Sequence, residues 1–598
     1  MKNVFFIVID SFFAEKIGNT KYGPTPTPFL DELSKKSIVC KNMYSQGPHT
    51  EAGSRALLTG FDSMDYGGYM HNLHEAKSTY LDVFKKAGYT TFDFFLPYYM
   101  YSTREFKSID YTYFTSDFLY ESVWGHRLTH FAEISKKRSL TELEMYDVKK
   151  QLELTFIAWG NWFDKWISGE RECFNAIKVW SENYDWQKNY KLFKAEYDEF
   201  LKDEEKYAKI ILEEGEASNL YKIERFDFDT VLNQKFLEEN VYYRHKKFLK
   251  EIERKQFLFN LKNQKLDYKN LLYSIGKTIK EKELVGYLRG VVYALCCGKF
   301  AQNYKRGKFD QILPSMRNFF RTALDGIEKH NDGKPIMLHC HPEELHNRIN
   351  YFSYDINDSE LINHEFELFE NYIKNINKSY RGNILYDCAL LYVDDCLKEF
   401  FTKLKEKSLL ESSLVVICAD HGSSYTCNTI RESVTNNCHT ENYHIPLIIY
   451  DGASPHGFIN TKFHTSKDIL ATVYDLCGIA KPEYVTGEPI TENSGDNIAV
   501  TEYIDSGTPD LRTRPIIFVA RNNEYMIHYR VSAFEDFKNG SLLEVYSLRK
   551  DPLELKNIKE NISQLTIQPL LDACEVRQRS ISNTYKKLHP DFDYTLYR

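Results

Sequence analysis

The first hundred residues alternate short apolar runs with amphipathic stretches. VFFIVID (4–10) is an unbroken apolar run closed by a carboxylate, the pattern of a strand buried on both faces. PFLDELSKKS (28–37) spaces its apolar residues along one helical face, and YLDVFKKAGYTTFDFF (80–95) reads as helix, glycine turn and strand. Such alternation predicts βαβ units and a parallel sheet. The texture then changes. No proline occurs between Pro97 and Pro314, and FLKDEEKYAKIILEE (200–214) and YYRHKKFLKEIERKQF (242–257) place aromatic and aliphatic residues at helical spacing among charges.

From residue 333 the short runs return as PIMLHC (335–340), LVVICAD (414–420) and PLIIY (446–450). Between the first two lies an amphipathic helix, NILYDCALLYVDDCLKEFFTKLKEKSLL (383–410), whose Asp394 and Asp395 are expected to face solvent. RPIIFVARNNEYMIHYRV (514–531) reads as two antiparallel strands around an Asn-Asn turn. The expected architecture is therefore α/β: a central, mostly parallel sheet flanked by helices, with a large helical insertion and a small C-terminal antiparallel α+β part. The corresponding boundaries are 1–120 with 325–490 for the catalytic α/β domain, 121–324 for the insertion and 491–598 for the C-terminal subdomain.

Composition narrows the function. Of 598 residues, 42% are apolar, with 43 Tyr and 40 Phe, enough to bury a large core. A net charge of -8 leaves no broad basic surface, so a nucleic-acid partner is not expected. The 12 Cys include an adjacent pair, Cys296–Cys297, but no CxxC or Cys/His finger spacing, which reads as reduced thiols. The opening apolar run is too short for a signal-peptide core, and no stretch of roughly 18 apolar residues occurs. A cytoplasmic protein without a membrane span is expected.

Three signals fall where an open parallel sheet places its active site, beyond the carboxyl ends of strands. Asp10 closes the first strand, Asp420-His421-Gly422 closes LVVICA, and Gly47-Pro48-His49-Thr50-Glu51-Ala52-Gly53-Ser54-Arg55 precedes a helical ALLTG. Two carboxylates, an imidazole and a hydroxyl converging there would suit one divalent metal. Taken singly, Asp10 can equally cap the next helix, and Thr50 can be a helix N-cap followed by a first-turn acid.

In this order the blocks resemble the alkaline phosphatase superfamily, in its sulfatase-like branch. NVFFIVIDSFFAEKIG is similar to that family's opening strand with its metal-binding acid, TPFLDELSKKSIVCKNMYSQGPHT to the following helix and the approach to the nucleophile, and LYDCALLYVDDCLKEFFTKLKEKSLLESSLVVICADHGSS to the segment ending in Asp-His-Gly. ENYHIPLIIY, HTSKDILATVYDLCGI and LLEVYSLRKDPLELKNI resemble later blocks, so the likeness covers about 1–100 and 333–560. It implies metal ligands at Asp10, Thr50, Asp420 and His421.

The departures from the sulfatase pattern bear on the chemistry. Sulfatases carry Cys-x-Pro-Ser-Arg with its Cys ten residues before the Gly of Leu-Leu-Thr-Gly; counting back ten from Gly60 reaches Thr50. A Thr nucleophile is the mark of the superfamily's phosphoryl-transfer branches, such as phosphodiesterases, phosphoethanolamine transferases and lipoteichoic acid synthases. The second acid of the usual opening Asp-Asp pair is Ser11 here. A threonine hydroxyl needs a local positive field to attack, which a helix start and a coordinated cation would provide.

The resemblance further implies an anion contact by Arg55 and a group-contacting His after PIMLHC, for which His346 is the first choice and His341 a substrate-binding residue beside Glu344. His439, ahead of His444, would bind the transferred group or protonate a leaving oxygen. One divalent metal, Mn or Zn rather than Ca or Mg, is expected, with Glu344, His346 and His439 as a weaker second set. The implied reaction moves a substituted phosphate from a phosphoester donor to an acceptor hydroxyl, such as a surface or capsular polysaccharide sugar, or to water. Sulfate-ester hydrolysis and a non-catalytic glycan-binding or scaffold role are the alternatives.

Overall fold

The computed structural model describes residues 1–21, 23–65, 78–94, 108–112, 128–167, 185–214, 222, 316–346, 359–377, 380, 382–424, 431, 433–435, 437–504 and 514–590. Its main sheet is built from β1 (Asn3–Val8), β2 (Ile38–Tyr44), β3 (Thr90–Phe94), β4 (Tyr111–Thr112), β5 (Ile336–Cys340), β6 (Ser413–Cys418), β7 (Leu447–Asp451) and β8 (Phe458–Thr465). The strand order is β4-β3-β5-β1-β6-β7-β2-β8, and β7 alone among these strands runs antiparallel to its neighbours. Every residue from Val4 to Ile9 is fully or almost fully buried, which explains the unbroken apolar run: β1 is covered on both faces. A mostly parallel sheet with flanking helices is thus the architecture, as the alternating pattern indicated.

Helices of the first half are α1 (Pro28–Ser34), α2 (Thr50–Thr59), α3 (Tyr80–Lys86), α4 (Thr129–Ser135), α5 (Glu142–Ile167), α6 (Trp186–Lys202) and α7 (Glu204–Glu214). The second half adds α8 (Met316–Lys329), α9 (Ser359–Asn375), α10 (Ile384–Glu406), α11 (Thr440–Tyr443), α12 (Lys467–Cys477) and α13 (Gln564–Leu588). The described part of 121–315 is mostly the helices α4 to α7, and Phe156, Phe193, Phe200 and Tyr207 meet in one apolar cluster continuous with the sheet core. The stretch 242–257 and the pair Cys296–Cys297 lie outside the described residues.

A second, antiparallel sheet, β12-β11-β10-β9, follows from β9 (Ala499–Tyr503), β10 (Ile516–Arg521), β11 (Tyr525–Val531) and β12 (Ser541–Ser547). The Asn522 side chain accepts from the backbone N–H groups of Glu524 and Tyr525, closing the turn that the Asn-Asn pair marked. Helix α13 packs Ile567, Leu570, Cys574 and Ile581 against this sheet.

Asp394 departs from expectation. It is buried, not solvated: its carboxylate accepts from the Phe29 and Leu30 N–H groups at 2.8 and 2.9 Å and so satisfies the orphan donors at the start of α1. Burial pushes its carboxyl up to about 7 against those bonds. Helix α10 packs on the sheet through Phe400 and Phe401 and is flanked by α1, α8 and α9, so the Asp394 position is covered by α1. Asp395 lies nearer the surface and pairs with Arg317 and His364. Among the described residues no helix is long and apolar enough to cross a membrane.

Candidate active site

Strands β5, β1 and β6 are adjacent and parallel, with Ile7 opposite Cys340 and Val8 opposite Cys418. Their carboxyl ends therefore deliver His341, Asp10 and Asp420 side by side. One donor atom from each of these three lies within 4.8 Å of the others, and all three residues are buried. His341 Nε2 stands 3.5 Å from Asp420 Oδ2 and 4.0 Å from Asp10 Oδ2.

Thr50 enters from α2. His49 is extended and its carbonyl accepts from Ala52 and Gly53, so Thr50 is the first helical residue rather than the cap. Its Oγ1 lies 3.4 Å from Asp10 Oδ2 and 3.3 Å from His421 Nε2. His421 Nε2 is in turn 3.5 Å from Asp10 and 3.7 Å from Asp420. The Nδ1–H of His421 donates to the Gly422 carbonyl at 2.6 Å, a tautomer that turns the lone pair of Nε2 toward the cluster. The hydroxyl, both acids and His421, inferred from strand ends and an aligned Thr, thus meet in one place.

The donor set fits a divalent cation. Among the described residues neither Asp10 nor Asp420 pairs with a Lys or Arg, and two buried carboxylates without a cation are costly. Asp420 Oδ2 and His341 Nε2 are buried without a hydrogen bond of good geometry. Ligands about 2 Å from one ion stand roughly 3–4 Å apart, close to the spacings found. Burial raises the Asp420 carboxyl, but the His421 and His341 rings and the His421 N–H outweigh it and hold the group well below the carboxylate range. Burial likewise works against the His421 imidazolium, while Asp420 and Asp10 raise its pKa above the ordinary value.

The other residues singled out from the sequence have the following surroundings. His341, taken there for substrate binding, belongs to the three-residue ligand group. Arg55 is 1% exposed, donates to the Asp65 carbonyl at 3.3 Å and lies over the Phe61 ring. His346 sits exposed on the turn after β5, and Glu344 is buried, accepting from the Met316 N–H. His439 precedes α11 with Nδ1 bonded to Glu554 at 2.8 Å. His444 bonds the Lys41 carbonyl through Nε2 and stacks on Tyr44. Of the set considered for a second ion, Glu344 thus bonds the Met316 N–H and His439 bonds Glu554.

Two features of the cluster were not visible in the sequence. The ligand position of His341 depends on β5 pairing with β1, and strand order leaves no mark on local composition. The second is the seat of Asp420 against α2, where a Cβ on Gly53 would stand 2.0 Å from the Asp420 carbonyl oxygen. Only the small residue itself could have signalled it.

A family model described as Sulfatase matches residues 2–155 and 176–479, most of the chain. This chain belongs to the sulfatase family, within an alkaline phosphatase superfamily of hydrolases and transferases. It is 26% identical over 156 residues to lipoteichoic acid synthase 1 of Bacillus subtilis (strain 168), covering 25% of this chain and 24% of that protein. It is 29% identical over 106 residues to the multifunctional alkaline phosphatase superfamily protein PehA of Trinickia caryophylli, covering 17% and 20%. The matched parts thus span about a quarter or less of these relatives. Among solved structures it is similar to the phosphonate monoester hydrolase of Agrobacterium radiobacter, at 11% identity, 97% and 96% coverage and a TM-score of 0.46.

Proposed function

We propose that the chain is a metal-dependent phosphoryl-group transferase or hydrolase that uses Thr50 as a covalent nucleophile. One observation carries the reading: the Thr50 hydroxyl, at the first position of α2, lies 3.4 Å from Asp10 and 3.3 Å from His421, within a buried acid–imidazole cluster. Asp10, Asp420, His421 and His341 would hold one ion, Mn or Zn by the mixture of carboxylate and imidazole donors. When bound, that ion would supply a field that lowers the hydroxyl's pKa and draws charge off the phosphoryl oxygens.

The steps for this chain's residues follow. Thr50 Oγ gives up its proton and attacks the phosphorus of a phosphodiester donor; the Oγ–P bond forms as the bond to the donor's alkoxide breaks, and that oxygen takes a proton. The helix-start N–H groups of α2 face the incoming negative charge. A second hydroxyl, from an acceptor or from water, then attacks the phospho-threonine and restores Thr50. His439 and His346 are the proposed proton carriers for the leaving and entering oxygens, and Arg55 and His444 the proposed substrate contacts. Likeness to a protein named a lipoteichoic acid synthase favours transfer to an acceptor over hydrolysis, and the acceptor we propose is the hydroxyl of a surface or capsular polysaccharide sugar.

Mixing the protein with aryl phosphodiesters and Mn or Zn, then reading intact mass, should give an adduct that is lost in Thr50→Ala. Turnover without an adduct, unchanged in Thr50→Ala, would overturn the nucleophile. A second reading, sulfate-ester hydrolysis, is favoured by the matching family model. Turnover of an aryl sulfate with phosphodiesters inert would establish it in place of the first.

A further inference from the structure

Ser11 stands where the sulfatase-like pattern has its second acid, and its backbone is in the left-handed region at φ 64°. Serine adopts that conformation at a cost that glycine escapes, so something else must favour a side chain there. Three bonds give the reason. The Ser11 hydroxyl donates to Asp10 Oδ1 at 2.7 Å, and the Ser11 N–H donates to Asp420 Oδ1 at 3.3 Å. The Tyr386 hydroxyl donates to the Ser11 carbonyl at 2.9 Å, fixing the residue from behind.

The two acids are consequently sorted atom by atom. Asp420 Oδ1 takes the N–H groups of Ser11 and His421, and Asp10 Oδ1 takes the Ser11 hydroxyl. The remaining oxygens, Asp10 Oδ2 and Asp420 Oδ2, are the ones that face His341, and Asp10 Oδ2 is the one nearest Thr50, while Asp10 Oδ1, which takes the Ser11 hydroxyl, also lies 3.5 Å from His421 Nε2. In this left-handed turn one residue presents its hydroxyl to the acid before it and its N–H to an acid on another strand.

We propose that Ser11 is a positioning residue for the metal centre: its hydroxyl and N–H hold the inner oxygens of Asp10 and Asp420 so that both outer oxygens point at one ion. This rests on the metal-centre reading of the site. Such outer contacts to ligating carboxylates typically change metal affinity 10- to 100-fold when removed.

Two substitutions test it, with Mn2+ and Zn2+ alone as probes. Ser11→Gly removes the hydroxyl but relieves the left-handed backbone; Ser11→Ala removes the hydroxyl and keeps the strain. Calorimetric titration is expected to show both binding about 10- to 100-fold more weakly than the unaltered chain, while the melting temperature without added metal is unchanged or higher in Ser11→Gly. A merely structural serine would lower both readings together. If the unaltered chain binds metal and both variants bind it equally tightly, the Ser11 assignment fails and the metal centre stands. If the unaltered chain binds neither ion, the metal centre itself fails and Ser11 has nothing to position.

Discussion

Gly53 and Asp420 meet backbone to backbone. A Cβ at position 53 would stand 2.0 Å from the Asp420 carbonyl oxygen, which also accepts from the Ser45 hydroxyl. The close approach lets the start of α2 lie directly over the Asp-His-Gly turn, and this brings the Thr50 hydroxyl to His421. Gly53→Ala must push either α2 or the Asp420 loop aside. It is expected to cost about 1–3 kcal/mol of stability and to lower turnover at least a hundredfold, measured by urea unfolding and by phosphodiesterase assay. Normal turnover in Gly53→Ala would show that the contact is not needed.

Removing the cation tests the cluster as a whole. Asp10 and Asp420 carry like charges into one buried site, so a bound divalent ion should stabilise the fold as well as activate Thr50. At a free metal concentration a hundred times the dissociation constant, linkage gives about 2.7 kcal/mol. Chelation followed by Mn or Zn repletion is therefore expected to lower and then restore the melting temperature together with activity. His341→Ala and Asp420→Ala should each abolish that metal-dependent rise. A His341→Ala protein that keeps it would remove His341 from the ligand set.

The strands bearing Asp10 and Asp420 were legible because each is a buried run cut by a single charge, and α10 because its apolar face repeats over six turns. Thr50 was found by counting from Leu-Leu-Thr-Gly, a spacing along one helix that local structure preserves. His341, Gly53 and Ser11 were not read as they stand, since their roles come from partners hundreds of residues away: β5 beside β1, α2 against the Asp420 loop, and a left-handed turn. Asp394 misled for the same reason. Its sequence neighbours are those of a solvated helix face, while the groups it satisfies belong to α1.

Arg577 makes a stability prediction far from the chemistry. Its guanidinium, on α13, bonds Glu502 on β9 and Asp65, and lies 3.8 Å from Asp62, which also accepts from Lys467 and Gln46. Burial pushes the Glu502 carboxyl up to about 7, although Arg577 opposes it. Removing the one guanidinium among three buried acids leaves charge without a partner, so Arg577→Ala should cost about 3–5 kcal/mol. The deficit measured by urea unfolding should shrink on going from pH 8 to pH 5, as the acids take up protons. A deficit independent of pH would show that lost packing, not stranded charge, is responsible.

Glu554 sets a pH dependence in a lower window. It has a left-handed backbone at φ 55°, is 1% exposed, and bonds His439 Nδ1 together with the N–H and hydroxyl of Thr440. Burial alone would raise its carboxyl, but the His439 bond and the charge of Arg521 prevail and hold it at about 2, against 4.5 for the free side chain. A depressed acid contributes stability that is present above its unfolded value and is lost as pH falls through its folded one. The window is therefore from about pH 4.5 down to about pH 2, and the contribution above it is on the order of 3 kcal/mol. Glu554→Gln lacks this titration. Its stability deficit relative to the unaltered chain should be full at pH 7 and close progressively below pH 4.5, since other acid effects are common to both proteins and cancel. Parallel stability curves across that window would mean that the carboxylate charge contributes nothing to holding α11 against the C-terminal sheet.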